Sequence, residues 1–153
     1  MSEITDKDMG FDFAVFIDRP VEQVYEAVAD PAQLSKYFTT NGAKGRLETG
    51  ATATWDFADF PGPFPVRVIR AEKPGLIEFA WPSDIEGADE TRVTFRFEDQ
   101  DGRTRVSVAE TGWPATPAGL KAALGNAYGW AHMLAALKAW LDHGIVLRQG
   151  MFR

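Results

Sequence analysis

The stretch 91-TRVTFRFEDQDGRTRVSVAET-111 determines the kind of sheet that this chain can form. Apolar and polar residues alternate on both sides of Asp101-Gly102, a dipeptide typical of a tight β-hairpin turn. This alternation predicts an antiparallel sheet with one solvated face, because strands of parallel sheets show continuous apolar runs. The residues expected to face the interior from these two strands are Val93, Phe95, Phe97, Val106 and Val108.

Outward from this hairpin, the sequence predicts a series of short elements. Two short helices are expected at 18–30 and 31–38, with Asp18 as a possible cap of the first, and the stretch 39–45 has the composition of a turn. The remaining alternating segments are predicted strands, at 11–17, 51–57, 66–72 and 76–81. In the first of them the pattern buries Phe11, Phe13, Val15 and Ile17.

The last element is a long helix from Pro117 to His143, with Thr116 as its cap and Gly144 as its stop. Its second half, 129-GWAHMLAALKAWLDHG-144, carries an apolar stripe at helical spacing. His132 is expected on the opposite, solvated side. The stripe itself consists of Trp130, Met133, Leu134, Leu137, Trp140 and Leu141.

The order of these elements predicts a single α+β domain over residues 1–153, with a flexible segment at 1–10. An antiparallel sheet with one apolar face and one long apolar helix can bury each other. The expected architecture is therefore a helix-grip fold, in which a curved antiparallel sheet wraps around the long C-terminal helix.

Composition excludes several classes of function. The net charge of −6 argues against nucleic acid and against anionic membranes, since both attract basic surfaces. No apolar run is long enough to span a membrane, and the polar N-terminus has no signal-peptide pattern. The absence of cysteine fits a cytoplasmic location.

The sequence predicts neither a metal site nor a cofactor, because it has two histidines, no cysteine and no glycine-rich phosphate loop. The acid of interest is Glu110, which continues the inward register of Val106 and Val108. A carboxylate that faces an apolar interior would have a raised pKa and could act as an acid or a base. The alternative is that the register breaks at the end of the strand and leaves Glu110 solvated. Arg70 is expected either to close the mouth of the same interior or to pair with an acid.

Many large aromatic side chains are expected to face this interior. They could form a large core, or they could line an apolar pocket that holds a small ligand. Asn126 lies on the inner face of the long helix, where its amide needs a partner from the backbone, water or a ligand. The expected ligand-binding residues are Tyr37, Trp55, Trp81, Trp113, Asn126, Tyr128, Trp130 and Met133.

Five stretches carry a resemblance to a known superfamily. The chain resembles the START-like (Bet v 1-type, SRPBCC) helix-grip superfamily, and within it the activator-of-heat-shock-ATPase homologue branch. The resemblance departs at Tyr37 and Phe38, where the family often has Trp, and at 60-FPGPFPV-66, where it often has Gly. The matching stretches are 20–38, 45–50 leading to Trp55, 73–81, 91–99, and 129-GW-130 followed by Leu134 and Leu137.

The resemblance implies a cavity between the sheet and the long helix that takes small apolar or amphipathic molecules. It leaves three functions open: a ligand-binding protein, an enzyme of the cyclase or hydrolase kind with Glu110 as acid or base, and a co-chaperone. A homodimer or a chaperone partner is possible in each case. The apolar tail 145–152 is expected to dock on its own domain or to form a dimer contact.

Overall fold

The structure, a computed structural model, describes residues 2–60 and 62–152. Two short helices follow the first strand, and the chain ends in a long helix and an irregular tail. The elements are β1 (Gly10–Ile17), α1 (Val21–Ala29), α2 (Pro31–Tyr37), β2 (Ala43–Lys44), β3 (Thr52–Trp55), β4 (Phe64–Glu72), β5 (Leu76–Ile85), β6 (Ala88–Gln100), β7 (Arg103–Thr111) and α3 (Pro117–His143).

The strands form one antiparallel sheet in the order β1-β7-β6-β5-β4-β3-β2. The sheet is curved, and with the long C-terminal helix it gives the α+β helix-grip fold that the sequence predicts. The turn between β6 and β7 has positive φ at both Asp101 (55°) and Gly102 (87°), as a two-residue hairpin turn requires. The five expected inward residues of this hairpin are all buried.

Helix α3 has the predicted ends. The Thr116 hydroxyl accepts a hydrogen bond from the backbone N–H of Gly119, and Gly144 ends the helix in a left-handed conformation with φ of 66°. Its C-terminal turn is fastened to β1, because Lys138 Nζ donates to the carbonyl of Phe16 over 2.7 Å. The backbone N–H of Asp18 donates to Asp142 over 3.0 Å, so this end of α3 is fixed against the start of the fold.

Several local predictions are wrong. Pro20, rather than Asp18, is the N-cap of α1. The stretch 39–45, predicted as a turn, contains the short strand β2. Phe13 is exposed, because β1 lies at the edge of the sheet and only part of its inner face is covered. Arg70 does not close the mouth of the interior, because an irregularity in the pairing between Val68 and Arg70 shifts the register and turns its side chain outward. There it forms an ion pair of 3.5 Å with Glu72, as the alternative of a pair with an acid predicts.

The N-terminal segment has structure of its own. A short 3-10 helix spans Asp6–Asp8, and the carboxylate of Asp6 accepts a hydrogen bond from the backbone N–H of Ala115 over 2.7 Å. Met9 is buried next to Trp113. The flexibility of residues 1–10 stays a prediction.

No helix among the described residues is both long and apolar enough to cross a membrane.

Candidate functional site

The site centres on Glu110, near the end of β7. Its register position opposite Val93 places the side chain on the inner face of the sheet, as the alternation from Val106 and Val108 predicts. The residue is fully buried, with 0% of its surface exposed. The alternative of a broken register and a solvated carboxylate is therefore wrong.

Hydrogen-bond donors surround both oxygens of the Glu110 carboxylate. Oε1 accepts from Trp130 Nε1 over 2.8 Å and from Asn126 Nδ2 over 3.1 Å. Oε2 accepts from Trp81 Nε1 over 2.8 Å, from Thr91 Oγ1 over 2.6 Å and again from Asn126 Nδ2 over 3.1 Å. We call these five residues the Glu110 cluster.

The fold explains how the Glu110 cluster assembles from four elements. Trp81 on β5 pairs directly with Thr91 on β6, and Thr91 lies two residues before Val93, the partner of Glu110. Side chains two residues apart on a strand share a face, so all three point inward. Asn126 and Trp130 are four residues apart on α3 and therefore share one helix face.

No cation balances the Glu110 carboxylate among the described residues, since all four of its hydrogen-bonding partners are neutral. Burial raises the pKa of Glu110 above its ordinary value, while the hydrogen bonds from Thr91, Trp81, Trp130 and Asn126 oppose that rise. Removing a charge from water costs free energy that hydrogen bonds only partly recover. The cluster is thus a costly polar arrangement inside an apolar core.

The occupied oxygens bear on what Glu110 can do chemically. A carboxylate offers about four lone-pair positions, and the two oxygens of Glu110 already accept five hydrogen-bond contacts. A general base needs a lone pair within reach of the proton that it removes. The geometry therefore favours a positioning role for Glu110, which orients two indoles and one amide.

Aromatic rings fill the space around the cluster. The Trp81 ring lies 5.3 Å from that of Trp130 and 6.0 Å from that of Trp55, measured between centroids. Phe79 and Phe95 continue this packing toward the centre of the sheet, each within 6.4 Å of Trp130. The interior between sheet and helix is thus lined by rings that touch one another.

Trp55 has an unusual environment within this group. Its side chain is fully buried, with 0% exposed, and its Nε1–H has no hydrogen-bond partner in the described part of the chain. Buried donors are nearly always paired, and an unpaired one costs about 1–3 kcal/mol. Trp55 therefore has an unpaired hydrogen-bond donor. The Trp81 ring, which contacts the Trp55 ring, also contacts the ring of Trp130.

The cluster reaches the surface at one side. Trp81 and Asn126 are half-buried, whereas Glu110 beneath them is fully enclosed. Phe64, also half-buried, packs against Trp81 with a centroid distance of 5.6 Å. These three side chains form the rim through which the interior borders solvent.

The structure brings only some of the predicted ligand-binding residues to this cluster. Met133 lies in the same core and is fully buried. Tyr37 is buried, and its hydroxyl donates to the carbonyl of Ala27 over 2.8 Å.

Trp113 belongs to a separate small cluster with Met9 and Ala123. Tyr128 is 59% exposed, because two residues along a helix place it almost opposite Trp130.

Sequence reasoning missed Thr91 and Phe64 as members of the site. The signal for Thr91 was present, since it lies two residues before the inward-facing Val93. Phe64 lies between prolines in 60-FPGPFPV-66, a composition that argues against a strand, and yet β4 begins there.

A concave region lies apart from the Glu110 cluster. It is a groove of about 410 Å³ between α2, the loop after β3 and the C-terminal tail. The tail docks here on its own chain through Arg148, which is 3% exposed and forms two hydrogen bonds of 2.5 and 2.8 Å to Asp59. The Arg148 guanidinium also lies over the rings of Phe57 and Phe152.

Among the described residues no group of three or more histidine, aspartate or glutamate side chains is arranged to hold a metal ion.

Comparisons with known proteins agree with this architecture. The chain is similar to the Staphylococcus saprophyticus protein SSP2350, with 28% identity and a TM-score of 0.74 over 90% of this chain and 96% of that one. It is similar to DynU16, from the dynemicin biosynthetic locus, with 25% identity and a TM-score of 0.76 over 90% of this chain. It spans only about half of DynU16, 48% of that chain.

The Aha1 dimer from Colwellia psychrerythraea shares the fold, with 21% identity and a TM-score of 0.72 over 88% of this chain and 97% of that one. Curated protein sequences give no match. A family model described as Activator of Hsp90 ATPase homolog 1-like protein matches residues 18–142, which is most of the sequence and contains the whole Glu110 cluster. The chain therefore belongs to the Activator of Hsp90 ATPase homolog 1-like family.

Proposed function

We propose that this protein binds a small, uncharged, largely aromatic molecule in the interior between the sheet and α3. The observation that carries this proposal is the unpaired Trp55 Nε1–H, which lies among aromatic rings next to the Glu110 cluster. An acceptor oxygen on a ligand would satisfy this donor. The surrounding rings would bury the apolar body of the ligand.

The charge of the ligand follows from Glu110. Among the described residues the buried Glu110 carboxylate has no cation partner, so a ligand anion placed near it would be repelled in a region of low dielectric constant. An uncharged carbonyl or ether oxygen can accept the Trp55 N–H without this cost. The proposed ligand class is therefore an aromatic ketone or ether rather than a fatty acid or a phosphate ester.

Access would be through the rim of Trp81, Asn126 and Phe64. The rings of the interior touch one another, so a ligand enters only as the half-buried Trp81 ring moves outward. That movement breaks the hydrogen bond from Trp81 to Glu110, while Trp130 and Asn126 continue to hold the carboxylate from α3. In this mechanism the Glu110 carboxylate stays in place while the pocket opens.

Native mass spectrometry tests this proposal first. Protein purified gently from its own host should carry a discrete adduct that is released on unfolding and extracts as an uncharged aromatic compound. A chain that is free of adduct, and that also fails to bind 2-acetylnaphthalene as an uncharged aromatic ketone probe, would contradict the proposal.

The enzymatic alternative uses the same cluster. DynU16 is a protein of a biosynthetic locus, and an SRPBCC interior can position a reactive substrate for cyclisation or hydrolysis. In this chain the saturated acceptor positions of Glu110 favour binding over catalysis. Turnover of the extracted compound that disappears in Glu110→Gln, with binding retained, would reverse that preference.

The remaining expectations from the sequence stay proposals. We propose a cytoplasmic location, and we propose a chaperone as a protein partner because of the family description.

A further inference from the structure

Helix α3 is apolar on its outer side as well as on its inner side. Leu120, Leu124 and Tyr128 follow one another at intervals of four residues and are 49%, 62% and 59% exposed. Residues at this spacing form a continuous stripe along one face of a helix. A helix that is apolar all round normally has a partner on each side, and the sheet covers only the inner side.

The tail extends this outer stripe. The Phe152 ring lies 5.8 Å from the ring of Tyr128 and 6.2 Å from that of Phe60, which is itself exposed. Leu120, Leu124, Tyr128, Phe152 and Phe60 thus form one apolar band on the outside of the molecule, which we call the α3 band. The band is separate from the rim of the Glu110 cluster, because Tyr128 and Trp130 point to nearly opposite sides of the helix.

The charge distribution indicates what can cover the band. The chain has 22 acidic residues and a net charge of −6, yet no Asp or Glu occurs between Pro117 and Leu141. Lys121 is the only charged residue in the helix before Lys138. A second copy of an acidic chain would meet opposing carboxylates on most surfaces, whereas two copies of this band can meet without them.

The spacing of the stripe also suits a symmetric pair. If two α3 helices cross antiparallel at Leu124, each Leu120 lies beside the Tyr128 of the other copy, because both are four residues from the axis. A two-fold interface requires this kind of self-complementarity. Gly125 borders Leu124, and a Cβ built at Gly125 would meet no atom within 4 Å, so the backbone there is open to close approach.

We propose that the α3 band is a homodimer interface, with Leu124 at its two-fold axis. This inference goes beyond ligand binding, since the interface and the interior lie on opposite sides of the helix. The interface is small, and the dimer is expected to dissociate at concentrations on the order of micromolar to millimolar.

Sedimentation equilibrium over a concentration series tests this inference. The wild-type chain should show a reversible monomer–dimer equilibrium, and Leu124→Glu should weaken it at least about tenfold because it places two carboxylates at the axis. Ile145→Glu is the matched control: it changes an exposed apolar residue just beyond the C-terminal end of α3, 53% exposed against 62% for Leu124, and should leave the equilibrium unchanged. A wild-type chain that stays monomeric at about 1 mM, or a dimer unaffected by Leu124→Glu, would overturn the proposal.

The absence of cysteine allows a second test that does not depend on stability. Leu124→Cys introduces the only thiol, and a short bismaleimide should link two copies of this variant efficiently but leave Ile145→Cys monomeric. Equal linking of both variants would overturn the assigned axis. Binding of 2-acetylnaphthalene should be the same in Leu124→Glu as in wild type, so failure of the dimer and failure of the ligand proposal are distinguishable.

Discussion

Trp130 Nε1, on α3, donates a hydrogen bond of 2.8 Å to Glu110 Oε1, on β7, across the boundary between helix and sheet. Neither partner contacts solvent to any extent. A single buried carboxylate thereby couples the position of the helix to that of the sheet. The proposed binding site is built around that carboxylate and its donors.

The pH dependence of stability should report on Glu110. Burial holds its pKa above the ordinary value of 4.5, so the folded state binds this proton more tightly than the unfolded state does. The contribution of Glu110 to the free energy of unfolding should therefore be largest below pH 4.5 and be lost as the pH rises through the folded pKa. Urea denaturation of wild type and Glu110→Gln across this range measures it as the difference between the two curves.

Exposed Glu98→Gln is the control for the loss of one surface carboxylate, and its cost at neutral pH should stay below about 1 kcal/mol. Glu110→Gln itself should lower stability by about 1–3 kcal/mol, because in either orientation its amide NH2 faces an indole N–H, of Trp81 or Trp130, that can only donate. A difference between wild type and Glu110→Gln that does not change with pH would contradict the raised pKa.

Asn126→Asp should destabilise the fold strongly, although the two side chains have nearly the same size and shape. The substitution puts a second carboxylate against Glu110 in a buried site, where both cannot ionise together. We expect the free energy of unfolding to fall by about 3–5 kcal/mol at neutral pH and to recover partly in acid. Thermal unfolding at two pH values measures this change.

Asn41→Asp is a matched control for that change. Asn41 Nδ2 donates to Asp56 Oδ2 over 2.9 Å on the surface, so the same substitution creates the same pair of carboxylates in water. Its cost should stay below about 1 kcal/mol. Similar losses in the two variants would show that the Glu110 environment is not distinctive.

Arg148 should stabilise the fold although it lies in the tail. Its guanidinium and Asp59 are both largely buried, and removal of one partner leaves an uncompensated charge. Arg148→Met should cost about 3–5 kcal/mol in chemical denaturation. Arg67→Met breaks a similar two-point pair with Glu90 at the surface and should cost less than about 1 kcal/mol. Equal costs would mean that the tail is not docked in solution.

Two glycines of α3 should respond to alanine in opposite directions. A Cβ at Gly119 would lie 2.0 Å from the carbonyl oxygen of Pro114, so Gly119→Ala should destabilise the fold by about 1–3 kcal/mol or more. A Cβ at Gly125 meets nothing within 4 Å, so Gly125→Ala should stabilise by about 0.5–1 kcal/mol through helix propensity. Thermal unfolding of both variants at concentrations where the chain is monomeric checks the pair, and a destabilised Gly125→Ala would contradict the open space at Gly125 in the monomer.

Much of the fold follows from local pattern. The alternation on either side of Asp101-Gly102 predicts the central hairpin and the inward register of Glu110. The helical spacing of the apolar residues from Trp130 onward predicts the inner face of α3. The outward position of Arg70 was not predicted. An irregularity in strand pairing changes which side chains face inward, and the amino-acid composition does not reveal it.

The site was only partly predictable. Asn126 and Glu110 were recognisable as polar residues in apolar positions, but their contact joins residues 16 apart in sequence and depends on how α3 packs. Trp113 and Tyr37 looked like pocket residues because aromatic side chains in a strand-rich chain are expected inside. The structure places Trp113 in a separate cluster, whereas Tyr37 lies in the main core with its hydroxyl bound to the carbonyl of Ala27. Residue type alone does not encode these positions.

The most direct test of ligand binding follows the five indole N–H groups by 1H–15N NMR during titration with 2-acetylnaphthalene. We expect saturable chemical-shift changes for the indole N–H groups of Trp55, Trp81 and Trp130, with the largest change at Trp55 because its N–H gains an acceptor. Trp113, in the separate cluster with Met9, should not move. Saturable shifts that leave Trp55 unchanged, or no shifts at all, would contradict the proposed binding site.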